Sequence, residues 1–330
     1  MSPKLHKRDS LQGVSLATQI VCIGIITCFV ALRYIAKYKL KLRFGIEDVL
    51  CFIAWVFYMG HCACSLTFTY LNGTVATSGT MEPDRMESKF KVFYICAFFY
   101  VSMILFVKLT LLSLIIRIFQ PHPEKVAIVY AFTALIICYY IAIIFAKIFI
   151  CSPIHAYWQD WRNVSSTKRC LNRPAIIIAD SSISVATDLA ILVFPLALSW
   201  SLHMPFSKKA GVVTILGAGC IAIGFSLYRL VLVSVGSDPP GQIAVILRIL
   251  LTDNAEGGIG LICACLPPFN KFVRDFVQKW RENRKPPVLK ADEAYDEARI
   301  LRSSNRASIT PETNTEGPLE TWPRDSLGPL

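Results

Sequence analysis

Nine ionisable side chains interrupt long apolar runs of this chain: His61, Lys108, Lys147, Asp180, Asp188, Arg229, Arg248, Asp253 and Glu256. In a bilayer such groups are costly unless they face protein and find a partner, so they mark either a structural core or a site. Asp253 and Glu256 stand three apart on one helix face, a spacing at which one carboxyl can protonate a substrate while the other steadies a cation. Gly257, Gly258 and Gly260 follow directly and permit close helix approach, which favours packing for that stretch. Depth counted from the outer helix ends at about 1.5 Å per residue puts Lys147, Asp180, Arg229 and Arg248 in the outer third. His61, Asp188, Asp253 and Glu256 fall near mid-membrane, and Lys108 lies somewhat deeper. The depths predict an outer pairing of Asp180 with Arg229 or Arg248 and an inner network joining Lys108 to Asp188 and Glu256. Two roles stay open: ion pairs that only fix helix register, or a polar cavity opening outward that binds a ligand or substrate. P-loop, HExxH, GxSxG and GxGxxG arrangements are missing from suitable contexts, so ATPase, zincin, hydrolase and dinucleotide chemistry gain no support. Cys62-Ala-Cys64 lacks further ligands at metal-site spacing and reads as packing, so no metal is expected.

The elements that must carry these groups follow from composition. Of 330 residues, 54% are hydrophobic and 17% charged, against about 45–50% and about 25% in soluble domains. The formal charge of +11 sits between long uncharged runs, which points to a membrane surface and away from nucleic acid. At roughly 20 apolar residues per crossing, the runs at 14–34, 48–71, 92–116, 126–150, 175–199, 211–235 and 243–266 predict seven helices. Only helices satisfy the backbone here, since no run alternates as barrel strands do. The expected organisation is an all-α membrane protein with a short extracellular N-terminus (1–13) and a seven-transmembrane bundle (14–267). An interfacial amphipathic helix (268–282) and a disordered cytoplasmic tail (283–330) follow. No cleavable signal peptide is expected ahead of the first helix.

Orientation rests on two signals. Arg33, Lys37, Lys39, Lys41, Arg43, Arg117, Lys125, Lys208, Lys209 and the basic residues after the last helix gather on one side, which the positive-inside rule makes cytoplasmic. Lys4, Lys7 and Arg8 pull the other way. The sequons Asn72-Gly-Thr74 and Asn163-Val-Ser165 both fall outside only if the N-terminus is outside. Of twelve cysteines, Cys151 and Cys170 alone occupy a loop, on the oxidising side, so a disulfide between them is expected, with a link from either to Cys96 as the competing arrangement. Phe269, Phe272, Val273, Phe276, Val277 and Trp280 recur at helical spacing opposite Lys271, Arg274, Lys279 and Arg281. That pattern suits an interfacial helix, or one packed on the bundle. Beyond 283 the chain is rich in Pro, Ser, Thr, Glu and Arg, as a disordered tail is.

An ordered series of motifs resembles the fungal rhodopsin-like integral membrane proteins of the satratoxin-cluster type. It runs Gly45-Ile-Glu47-Asp48, Val107-Lys108-Leu109-Thr110, Arg117-Ile-Phe119, Cys151-Ser-Pro153-Ile154 with Trp158 and Cys170, and Thr187-Asp188-Leu189 with Phe194-Pro195. Leu216-Gly217, Arg229, Glu256 and Leu266-Pro267 complete it. Glu47 and Thr110 stand where the family usually has Asp and Ser, and Pro268-Phe269-Asn270 departs from its Leu-Arg-Pro run. The resemblance implies a rhodopsin-like, receptor-like bundle without retinal, consistent with the missing lysine in 243–266, and no other cofactor is expected. Neither an acidic-Arg-Tyr motif nor Asn-Pro-x-x-Tyr is present, so G-protein coupling has no residue support. Many relatives are encoded beside secondary-metabolite genes, and two functions follow from the resemblance. One is an orphan sensor of a small amphipathic molecule, signalling to a cytoplasmic partner. The other is a pathway membrane protein, an acid-catalysed intramembrane cyclase or a carrier. Either would reside in the plasma membrane or another membrane of the secretory pathway.

Overall fold

The computed structural model describes residues 3–78, 83–120, 123–159, 171, 173–200, 206–235, 242–284 and 299. The helices are α1 (Pro3–Lys39), α2 (Ile46–Ser78), α3 (Pro83–Phe119), α4 (Pro123–Ile148), the short α5 (Ala156–Gln159), α6 (Arg173–Trp200), α7 (Phe206–Val235) and α8 (Gln242–Arg284). Six are long and apolar enough to cross a bilayer, and α7 contributes the further apolar stretch Gly219–Val235. The protein is a multi-pass, all-α membrane bundle of seven long helices, as its hydropathy predicts.

The helices overrun the expected crossings. Residues 3–13, expected as a short extracellular segment, continue α1 as helix, and α3 begins at Pro83 instead of 92. Hydropathy locates the part of a helix that needs lipid; the polar turns beyond it stay helical because nothing there stops them. Pro83 and Pro123 open their helices where a missing N–H costs nothing.

Burial separates inner helices from outer ones. In α3 and α8 67% of the apolar window is buried, in α4 only 17%, so α3 and α8 form the centre. Exposed Tyr130, Leu135 and Phe145 on α4, and Ile20, Val21 and Ile25 on α1, form an apolar exterior, the arrangement a lipid solvent requires. The glycines of α8 set how closely it approaches its neighbours. A Cβ on Gly258 would sit 2.5 Å from Ile26 Cδ1 of α1, and one on Gly260 2.5 Å from Val107 Cγ1 of α3.

Pro267 and Pro268, at the expected boundary between the bundle (14–267) and the amphipathic helix (268–282), lie inside α8, which runs on to Arg284. Pro268 has no N–H to give the carbonyl four residues back, and Arg33 Nη1 of α1 supplies the donor that Ala264 O lacks. A second compact unit comprises Arg274–Leu330. In its described helical part Phe276, Val277 and Trp280 are exposed, and the Arg284 guanidinium lies 3.9 Å from the Trp280 ring centroid. Of the expected tail, 283–330, residues 283 and 284 belong to α8, and beyond them only Arg299 is among the described residues.

Candidate functional site: a cavity over a charged core

Seven of the nine ionisable groups converge between α3, α4, α6, α7 and α8. Asp180, Ser184, Thr187 and Asp188 recur at helical spacing along one face of α6, and the cations of the flanking helices meet that face. Lys108 Nζ of α3 lies 2.9 Å from Asp188 Oδ1 and donates to Thr187 Oγ1 at 2.5 Å, Ser184 O at 3.1 Å and Ser184 Oγ at 3.3 Å. Ser226 Oγ of α7 donates to the other Asp188 oxygen at 3.0 Å. Glu256 of α8 is tied in from both sides: Ser184 Oγ donates to its Oε1 at 2.8 Å and Tyr100 O–H to its Oε2 at 3.0 Å. Arg229 Nη1 of α7 reaches Asp253 Oδ1 at 3.2 Å and Glu256 Oε2 at 3.9 Å. Lys147 Nζ of α4 pairs with Asp180 Oδ2 at 2.6 Å. The Tyr100 ring lies beneath two of these cations, with Arg229 Cζ 4.6 Å and Lys147 Nζ 5.8 Å from its centroid.

The inner network therefore joins Lys108 to Asp188 directly and to Glu256 through the Ser184 hydroxyl. The outer cluster does bring Asp180 and Arg229 together, but not as a direct ion pair. Asp180 takes Lys147 as its partner, Arg229 takes the two carboxylates of α8, and Arg248 is exposed. Depth fixes height but not direction: Arg248 precedes Asp253 by five residues, about 140° around the helix axis. His61 is fully buried, with Nδ1 3.4 Å from Cys96 O and Nε2 3.5 Å from Ser65 Oγ, a structural placement outside the network.

Above this core lies a cavity of about 220 Å³. Phe93, Phe98, Ile144, Ile177 and Leu250 give it apolar walls, and Lys147, Asp180, Arg229 and Asp253 close its polar end. Tyr157 of α5 lies at its margin. The segment carrying α5 is anchored where Leu171 N–H donates to Ile150 O at 2.8 Å. Beside it Cys151 is buried and disulfide-bonded, while Cys96 is a free thiol, which removes the competing link to Cys96. Cys170 lies outside the described residues, as does the sequon residue Asn163. Asn72 sits within α2 with its side chain buried, and its amide nitrogen donates to Phe68 O at 2.9 Å. This sequon is helical and its Asn72 side chain is buried, so Asn72 is a poor acceptor for a glycan.

A second charged cluster, at the opposite end of the helices, went unseen because Arg33, Lys37 and Arg117 read as solvated loop-edge charges. Arg33 Nη2 lies 2.8 Å from Asp48 Oδ1, and Lys37 Nζ lies 3.0 Å from Glu47 Oε1 and 2.5 Å from Asp48 Oδ2. Arg117 of α3 pairs with Glu47, and Tyr34 O–H donates to Asp48 O at 2.7 Å. Arg33 is 0% exposed and Asp48 3%, so these pairs bind α1, α2, α3 and, through Ala264, α8. The available signal was the spacing of Arg33 and Lys37, four apart on one face and opposite two adjacent acids that open the next helix.

Comparison with known proteins places this architecture in a family. The model of the fungal rhodopsin domain matches residues 32–275, and the chain belongs to that family. It is 24% identical over 275 residues to wortmanamides biosynthesis cluster protein C of Talaromyces wortmannii, covering 82% of this chain and 74% of that protein. Fugralins biosynthesis cluster protein 2 of Gibberella zeae is 23% identical over 265 residues, covering 78% and 64%. An Emericella nidulans SAT4 family membrane protein is 27% identical over 218 residues, covering 64% and 53%. The chain thus spans about half to three quarters of the length of these relatives. No solved structure matches it.

Proposed function

We propose that this member of the fungal rhodopsin family holds a small amphipathic molecule in the cavity between α3, α4, α6, α7 and α8, as the membrane component of a secondary-metabolite pathway. The observation that carries the reading is the cavity itself: apolar walls ending on a buried cluster of charged side chains. A bundle that needed charges only for helix register would have no use for an open space against them. The names of two relatives, each a biosynthesis cluster protein, support the same reading. In the orientation argued from charge, the cavity opens to the extracellular or lumenal side and the Arg33–Asp48 cluster faces the cytoplasm. The membrane is the plasma membrane or another of the secretory pathway.

A sensing role is the second reading, favoured by one feature. Arg229, at the cavity's polar end, shares Glu256 with Ser184, which in turn touches Lys108. A ligand that draws Arg229 away from Glu256 thereby alters contacts deeper in the bundle, and the tail offers a cytoplasmic partner its place to read the change. Deletion of the gene with metabolite profiling separates the two. Loss of one product with accumulation of its precursor supports the pathway role, a changed transcriptional response with an intact profile supports sensing, and no change in either overturns both.

A further inference from the structure

The polar end of the cavity is unevenly satisfied. Arg229 is 3% exposed, and its Nη1 faces Asp253, yet its Nε and Nη2 have no hydrogen-bond partner. These two nitrogens form one edge of the guanidinium plane, the edge that grips oxygen lone pairs side-on. Ser181, 1% exposed and also lining the cavity, has a hydroxyl without a partner. Among the described residues, Arg229 and Ser181 are the ones that both line the cavity and carry unpartnered buried side-chain atoms, and both can donate. Buried donors left open cost free energy, so an occupant that brings acceptor oxygens is favoured over a pure hydrocarbon.

Charge decides which acceptor. The linked core contains three cations, Lys108, Lys147 and Arg229, and four carboxyl groups, Asp180, Asp188, Asp253 and Glu256. An anionic ligand would add a further negative charge to a cluster already richer in carboxyl groups than in cations. A cationic ligand would meet Arg229 and Lys147 at the cavity wall, and no carboxylate oxygen is among the unpartnered buried atoms. What remains is an uncharged molecule with an apolar body.

We propose that the cavity selects a neutral, lipophilic small molecule bearing a carbonyl or equivalent acceptor oxygen, held by the Nε/Nη2 edge of Arg229 and the Ser181 hydroxyl. This rests on the binding reading above and adds the ligand class. The test uses the full chain in lipid nanodiscs and four probes on one skeleton: 4-butylacetophenone, 4-butylbenzoate, 4-butylbenzylammonium and pentylbenzene. Affinity is read by titration against the thermal unfolding midpoint. The ketone is expected to stabilise most, to lose about fivefold in affinity in Ser181→Ala, as removal of one hydrogen bond implies, and to lose its effect in Ala97→Phe, which adds a ring at Ala97 on the cavity lining. Tightest binding by the benzoate or the ammonium, or equal binding by pentylbenzene, overturns the ligand class and leaves the cavity reading standing. No shift with any probe, or shifts that persist in Ala97→Phe, overturn the cavity reading itself. A lipid ester carbonyl offers the same chemistry, so the titration is repeated in carbonyl-free ether-lipid discs. Unchanged ketone affinity there supports a free small molecule, and ketone binding confined to ether-lipid discs overturns the proposal in favour of lipid.

Discussion

Neutralising Lys108 should damage the bundle, and neutralising Asp188 as well should add little to that damage. Lys108 is 2% exposed and its Nζ contacts one carboxylate and three neutral oxygens. With Lys108→Met, Asp188 keeps its Ser226 contact at 3.0 Å but loses its counterion in a site where its side chain is 14% exposed. With Asp188→Asn, the ammonium keeps three neutral acceptors and no adjacent charge. Each single change should therefore cost about 3 kcal/mol, the lower end for breaking a buried pair. The double variant, which leaves no stranded charge, should lose about 3–4 kcal/mol in total, a coupling of about 2–3 kcal/mol. Ordinary polar contacts between membrane helices couple by only about 0.6 kcal/mol, so the two cases are separable. The assay is reversible unfolding in mixed detergent micelles with all four proteins under one set of conditions. Losses that add to within about 0.5 kcal/mol would refute the reasoning. Glu256→Gln, which reaches Lys108 only through Ser184, should couple to Lys108→Met more weakly than Asp188→Asn does.

Arg33→Leu should lower the unfolding midpoint sharply, and Arg33→Lys should not rescue it, because an ammonium cannot reach both Asp48 and the Ala264 carbonyl freed by Pro268. Equal midpoints for wild type and Arg33→Lys would count against this bridge. A C-terminal tag in sealed microsomes should be digested by added protease. Asn163→Gln should abolish any glycan-dependent mobility shift while Asn72→Gln leaves it unchanged, since Asn72 is buried within a helix; a protected tag would reverse the orientation. Non-reducing peptide mapping should link Cys151 to Cys170, and Cys151→Ser should cost about 3 kcal/mol, the chain-entropy value for a loop of roughly 20 residues. Two free thiols at these positions would defeat the pairing.

The bundle was readable because apolar length and the cost of bare backbone in lipid leave few alternatives, and the buried charges stood out by the same cost. Their partners were harder to read. Depth counting gives height along the membrane normal but no azimuth, so Arg248 and Arg229 looked equivalent although only Arg229 faces inward. Tyr100 and Ser184, which join Glu256 to the rest, are neutral and leave no trace against an apolar background. Arg33 and Lys37 were hidden for the opposite reason. A basic residue near a helix end is ordinarily solvated, and only the fold shows that α2 begins by folding Glu47 and Asp48 back onto α1. The continuation of α8 past Pro267 and Pro268 was hidden because it depends on a donor from another helix, which no local pattern reveals.

The claim that matters most is that the cavity of about 220 Å³ is a binding site for a small molecule. The sharpest test is native mass spectrometry of the full chain purified from its native host, beside Ala97→Phe prepared in the same way. A bound small molecule, uncharged once released, is expected on the wild type and none on the variant. An empty wild type, or the same adduct on both proteins, would contradict the claim.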